Sequence, residues 1–365
     1  MLIKYEDLVK AYEICKIWKQ KDPDFIKFSR NEKINLEKLY EELSNNTYEL
    51  GTPIRKIKSG DGKLREIIYL PFRDRIVQQM VWNIISPLVM NKSYYDIYGW
   101  FKWKWVIFWV KRISRFMRSC SDNYKKNCYI LKLDIQSFYL SINKNILWNE
   151  VLRLIQEKWE KDKNLRETVY LLNEIIFKDY RHFKDISKKS DIKKYPSKKS
   201  MLSTDGSYWL PHWNTTSQIF ANLYLHKLDI FIKEELKIKY YWRYIDDFVL
   251  IHEDKKYLIE CKNRIEEFLK SELKLTLHPN KVYLQHVSKW VNFLGVMIYP
   301  YYKTLSKKTI YRWCKKISRV TLLKNRYQVL MSYDWLAKHY NNYRLRIKRR
   351  KIYWEVFPET FYNNK

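Results

Sequence analysis

The chain has 365 residues and a formal charge of +31, with 71 Lys and Arg against 40 Asp and Glu. That length accommodates several contiguous cores, and the charge calls for a polyanionic partner, since basic side chains gain by releasing counterions condensed on a nucleic-acid backbone; an AT-rich gene would inflate Lys, Ile, Asn and Tyr in the same direction. Cys15, Cys120, Cys128, Cys261 and Cys314 show no CxxC spacing, which argues against a zinc site or disulfide framework. It suggests a reducing compartment. No apolar run approaches the ~20 residues of a membrane span, so the sequence predicts a cytosolic, cytoplasmic protein.

In chain order, Tyr5 to Gln20 has apolar positions at helical spacing, and Leu36, Leu39, Tyr40 and Leu43 repeat the pattern. Ile54 to Leu70 reads as a hairpin turning at Ser59-Gly60-Asp61-Gly62. Phe72 to Leu88 reads as a helix whose Arg73, Asp74 and Arg75 suit either surface ion pairs or template contact. Tyr129 to Ile142 reads as a strand ending near Asp134, followed by Phe138 and Tyr139. A helical region over Lys144 to Phe177 then gives way to a polar, Lys-rich stretch, Lys178 to Ser200, expected to be a mobile loop. Gln218 opens a helix running to Asp229, Arg264 to Leu277 gives a helix and then a strand, and basic helices are expected at Lys307 to Arg326 and Tyr343 to Lys351. No Pro/Gly/Ser linker divides the chain.

The chemistry centres on Tyr241 to His252, YWRYIDDFVLIH, where Asp246 and Asp247 sit between runs of β-formers. This pattern predicts a hairpin with the acids at its tight turn. Hard cations take carboxylate oxygens, and mutual repulsion makes a bare pair unfavourable; ordinary solvated turns also carry Asp-Asp. Asp134, a third acid after an apolar strand, completes what a two-metal phosphoryl-transfer site requires: carboxylates that bridge and clamp two cations roughly 3.5–4 Å apart.

Asp134 with its following Phe-Tyr, Leu210 to Gln218 (LPHWNTTSQ) continuing into Ile219 to Asp229, and YIDD together resemble the palm motifs of reverse transcriptases. Arg65 to Gln79 resembles the fingers motif of that family, and LHPNK (Leu277 to Lys281) with VNFLG (Val291 to Gly295) resembles its later palm and primer-grip motifs. The resemblance covers roughly Asn46 to Lys348. It implies an α+β right-hand polymerase: a helical region over 1–50 bracing the fingers, fingers over 51–128, a palm with an antiparallel βαββαβ sheet over 129–300 carrying an insertion at about 150–205, and a helical basic thumb over 301–365.

The resemblance also implies roles. Asp134, Asp246 and Asp247, with Ile135 beside them, would hold two Mg²⁺ ions, or Mn²⁺, and Lys281 would protonate the departing pyrophosphate. Lys63 and Arg65 would hold the incoming triphosphate, where a solvated basic strand is the plain alternative. Tyr139 would abut the sugar 2′ position, with core packing as its alternative. Ile135, Phe138, Trp213, Ser217 and Gln218 would complete the substrate pocket, and Ala221 and Asn222 would face the nucleotide. Ser217-Gln218, where most relatives carry Ser-Pro, and the tail Ser332 to Arg346 resemble reverse transcriptases of diversity-generating retroelements. Such an enzyme makes cDNA from template RNA, primer and dNTPs with frequent errors at adenines, alongside a small basic accessory protein oligomer and no membrane. The alternatives are a group II intron-like or phage-defence reverse transcriptase, and a catalytically impaired RNA-binding scaffold.

One compositional oddity bears on the motifs. The chain has 6 glycines and 15 tryptophans, where average usage would give about 25 glycines. Trp103, Trp105, Trp209, Trp213 and Trp290 fall where the family has glycine, which is the pattern expected of a gene whose UGA codons are read as glycine. An indole at Trp213 would fill space that a glycine leaves open to template and nucleotide.

Overall fold

The computed structural model describes residues 4–17, 19–60, 63–99, 106–159, 165–212, 214–319, 328–331 and 338–340. Trp103, Trp105, Trp213, the basic segment 343–351 and nearly all of the tail motif 332–346 lie outside the described residues; for Lys63 only the backbone is described. The strands are β1 (Ile54–Gly60), β2 (Lys63–Tyr69), β3 (Ile97–Tyr98), β4 (Tyr129–Asp134), β5 (Lys184–Asp185), β6 (Tyr240–Tyr244), β7 (Asp247–His252), β8 (Tyr283–His286), β9 (Val291–Phe293), β10 (Val296–Ile298) and β11 (Lys303–Leu305).

The central sheet has the order β3-β6-β7-β4-β8. Its connectivity from β4 through helices to β6 and β7, then through helix Lys255–Glu272 to β8, is the expected βαββαβ. All pairings are antiparallel except the two-residue edge pair of β3 with β6, which is parallel. The closing strand arrives later than expected. Leu277 makes only an isolated bridge to Ile135, a 3₁₀ turn over Pro279–Lys281 intervenes, and β8 begins at Tyr283, because Pro279 has no N–H to give a ladder.

Successive residues of a strand face opposite sides, and both sides of this sheet are covered. Leu131, Leu133, Phe248 and Leu250 enter one core, shared with the N-terminal helices and helix Thr215–Tyr224. Ile130, Val249, Ile251 and Trp242 enter a second, under helix Val106–Cys120 and the β9-β10-β11 meander. This explains why Phe248 to Ile251 is an unbroken apolar run: every position is buried.

The fingers hairpin pairs Gly60 with Lys63, leaving two positions between the strands. The stretch expected to be a mobile loop is instead anchored to it. β5 adds to β1 in parallel, Arg55 bridges Glu66 and Asp185 at 2.7 Å each, and Glu66 also accepts from Ser200 Oγ and the Met201 amide. Arg55 and Glu66 are buried, and a buried charge persists only when paired.

Helices Tyr5–Lys16, Pro23–Ser29 and Glu32–Ser44 pack on the longer-than-expected helix Phe72–Lys92. Of its three early charges, Arg73 pairs with Glu42 and Arg75 with Asp22. Asp74, fully buried, accepts from Tyr48 Oη and the Gly51 amide, so all three brace the fingers rather than face a template. No described helix is long and apolar enough to cross a membrane.

Candidate active site

Tyr244 pairs with Asp247, so Ile245 and Asp246 alone make the turn between β6 and β7. On the other side of β7, Asp134 at the end of β4 is the direct Cα partner of Asp247, and the Ile135 amide donates to the Asp246 carbonyl at 3.2 Å. Opposed residues of an antiparallel pair lie about 4.5–5.5 Å apart. Asp134 and an acidic pair 112 and 113 residues further along the chain are therefore brought to one edge of one sheet.

The turn is held under tension. Ile245 has φ +54°, a left-handed conformation that is costly for a β-branched residue. Arg243, fully buried, secures it: Nη1 donates to the Ile245 carbonyl and to Asn222 Oδ1, both at 3.0 Å. Its Nε and Nη2 grip Asp229 at 2.7 and 2.6 Å, and Tyr241 Oη donates to the same carboxylate. Gly99, at φ +120°, lies beneath; a Cβ there would meet Ile245 Cγ1 at 2.6 Å. This support was missed in the sequence, although an arginine inside a buried strand and an aspartate in an apolar helix were its signal. Asn222, expected to face the nucleotide, is buried and bonded to Arg243 instead.

Burial, then the charges of Asp134 and Asp247, push the Asp246 carboxyl up to about 6. Burial also raises Asp247, against the opposing pull of Lys132. Lys281 Nζ sits 2.7 Å from Asp134 Oδ1, and Lys132 Nζ 2.9 Å from Asp247 Oδ2. Asp247 Oδ1 is buried with no described partner. Among the described residues no group of three His, Cys, Asp or Glu side chains is placed to hold a metal ion; lysines occupy two of the three acids. An orphaned carboxylate oxygen, a raised carboxyl and two lysines drawn onto the cluster are what unneutralised negative charge produces. The donor set, all hard oxygen, fits divalent cations of the Mg²⁺ class.

A cavity of about 420 Å³ joins this edge to the fingers, with Arg65 and Leu64 on one side and Ile135, Tyr139, Asp246 and Lys281 on the other. Phe138 also lines it and is buried, as is Ile135. Tyr139 is 8% exposed, stands edge-on to His212 at 4.4 Å, and its hydroxyl is raised by burial and by the Asp246 charge. Ser217 is buried in helix Thr215–Tyr224, and neither it nor Gln218 lines the cavity. A larger cavity of about 610 Å³ lies on the far side of Arg65, between β2 and helix Tyr5–Lys16.

Trp209 lines the smaller cavity. It is buried, packs edge-on to Tyr180 at 5.5 Å, and has φ +89°. Trp209 thus holds a backbone conformation that favours glycine. Trp290 is 45% exposed.

A βαββαβ palm with Asp134, Asp246 and Asp247 at one edge of its sheet has the architecture of a right-hand polymerase, a nucleotidyltransferase. The reverse transcriptase (RNA-dependent DNA polymerase) family matches residues 54–298, and the chain belongs to that family. Protein YkfC of Escherichia coli (strain K12) is 22% identical, over 72% of this chain and 70% of its own. Apo telomerase from Candida tropicalis, truncated from its C-terminal domain, shares the fold with a TM-score of 0.50 at 14% identity, over 74% of this chain and 60% of that one. Telomerase from Candida tropicalis with a TWJ fragment of telomeric RNA gives 0.51 at 16% identity, over 89% and 58%. This chain therefore spans about three fifths of the telomerases it matches, and at these identities the likeness is one of fold.

Proposed function

We propose that this chain extends a primer 3′-hydroxyl along an RNA template to make cDNA, as the polymerase of a diversity-generating retroelement. The carrying observation is the pairing of Asp134 with Asp247 beside the half-buried, charge-stressed Asp246. Asp134, Asp246 and Asp247 would hold two Mg²⁺ ions, or Mn²⁺, with Ile135 donating its amide to the Asp246 carbonyl and so keeping the turn in place. Bound there, the ions supply Lewis acidity to the attacking hydroxyl and to the leaving pyrophosphate.

The remaining roles belong to side chains. Arg65, across the 420 Å³ cavity from Asp246, neutralises the triphosphate, with Lys63 two positions earlier on the same strand. Tyr139, locked by burial, closes the space where a ribose 2′-hydroxyl would sit, and Phe138 backs it. Lys281, whose Nζ lies 2.7 Å from Asp134 Oδ1, would donate a proton to the pyrophosphate. Ser217 and Gln218 act on the pocket indirectly, through the packing of helix Thr215–Tyr224, and Trp213 is assigned to it by the motif alone. The 610 Å³ cavity beyond Arg65 offers Lys19 and Lys58 to the incoming template.

Ser217-Gln218 supports the retroelement assignment, and with it adenine-directed errors and a small basic accessory protein. Primer extension on an RNA template tests the polymerase: wild type should extend with Mg²⁺ and Asp246→Ala should not. Equal extension, or none by either, would remove the reading. Sequencing the cDNA tests the rest, since errors spread evenly over all four template bases would exclude the retroelement type while leaving the polymerase intact.

A further inference from the structure

A second concave surface lies away from the carboxylates. Helix Val106–Cys120 crosses one face of the sheet, and its outer side meets the β10–β11 hairpin in a groove of about 600 Å³. Lys111, Arg115 and Arg118 line it at i, i+4 and i+7, a single stripe of the helix, and Lys303 faces them from β11. Among the described residues Asp122 is the one acid lining the groove, and none of the four cations makes an ion pair with a described carboxylate. Burial, with Arg118 and Lys111 nearby, pushes the Lys303 ammonium down. Positive charge is thus crowded here without its counter-charge.

The hairpin adds rings. Tyr301 is 78% and Tyr302 45% exposed, and Tyr302 stacks on Tyr299 at 4.3 Å with planes 10° apart. Exposed rings beside unpaired cations suit a strand whose phosphates and bases alternate, because every base has a face to stack and every phosphate a charge to meet. An acidic protein surface would use the cations but leave the rings without a partner.

The groove is separate from the active edge. Ser119, which lines it, bonds Tyr240 Oη at 2.8 Å, and Tyr240 lies at the opposite end of β6 from the acidic turn, four residues or about 13 Å away. Its floor is built rather than loose: Asp122, Asn123 and Tyr124 are all left-handed, at φ +46°, +55° and +68°. The Asn123 amide bonds the Arg118 carbonyl at 2.8 Å and the Tyr124 amide bonds Ser121 Oγ at 2.9 Å.

We propose that this groove is a second nucleic-acid site, which holds a single-stranded RNA segment outside the catalytic cleft through Lys111, Arg115, Arg118 and Lys303 and stacks its bases on Tyr301 and Tyr302. It tethers template RNA that is not being copied, and does not depend on the retroelement assignment.

The probe is a fluorescein-labelled 20-nucleotide polyuridine RNA carrying 4-thiouridine, with the full chain. Irradiation should give cross-links at Tyr301 or Tyr302. R115E/R118E should weaken binding at least roughly tenfold near 0.1 M salt and lower the slope of log K against log salt by about 1.4, the loss of two phosphate contacts. Tyr301→Ala should weaken binding several-fold and leave that slope unchanged, since stacking releases no counterions. Primer extension on a short primer-template should stay within about twofold of wild type in both. If R115E/R118E fails to fold, R115Q/R118Q must still show the reduced slope. Unchanged affinity and slope with cross-links confined to the cleft would overturn the proposal. So would loss of polyglutamate binding in R115E/R118E while RNA binding persists, which would mark a protein-docking face.

Discussion

Lys281 Nζ and Asp134 Oδ1 meet at 2.7 Å, although 147 residues separate them and one lies on a 3₁₀ turn while the other ends a strand. A lysine held at this carboxylate, on the rim of the cavity, is placed to give its proton to the leaving group. Lys281→Met should lower kcat by about 10²-fold, the usual share of a general acid, with little change in nucleotide KM. Single-turnover primer extension checks this, and a fall in KM-dependent binding alone would make Lys281 a ligand of the triphosphate instead.

Arg243→Met should destabilise the fold by about 3–5 kcal/mol, because it strands the buried Asp229 without its partner. Adding Asp229→Asn should recover much of that stability but not the activity, since Ile245 would still lack its anchoring donor. Thermal unfolding and primer extension of the two variants separate the effects.

Asp246 has its carboxyl raised to about 6 in the fold, against about 4 in an unfolded chain. The unfolded state therefore releases its proton first as pH rises, and the contribution of this group to stability falls between about pH 4 and pH 6 and stays lost above. In metal-free protein, the stability difference between wild type and Asp246→Asn should shift against wild type across that window. Mg²⁺ should restore wild type above about pH 6 and leave Asp246→Asn largely unaffected. Melting temperatures taken with and without Mg²⁺ read this out.

Replacing Tyr139 by Val opens the wall of the cavity that the buried ring now fills. Discrimination against ribonucleotides should fall by roughly tenfold or more, measured as the ratio of kcat/KM for a dNTP and its ribonucleotide. An unchanged ratio would assign Tyr139 to the core alone.

Trp209, at φ +89°, strains a left-handed backbone by at least about 1–2 kcal/mol. If UGA encodes glycine in the source organism, peptide mass spectrometry of protein from that host should find glycine at 209 and at 213. An indole at either position would remove the idea.

Much was legible in the chain itself. The β-formers flanking Asp246-Asp247 dictate a hairpin, and the spacing of Asp134 and the palm motifs fits one fold, because period-2 and period-3.6 patterns are local properties that a sequence carries openly. The fingers hairpin and most helices follow for the same reason. What the local pattern could not supply was partnership. Arg243 with Asp229 and Asn222, Glu66 with Arg55 and the supposed loop around Asp185, and Lys281 with Asp134 are contacts between residues 11 to 147 positions apart. Burial makes the Arg243 and Arg55 pairings compulsory, since a desolvated charge must be paired, but which partner meets each charge is decided only when the sheet's two cores close.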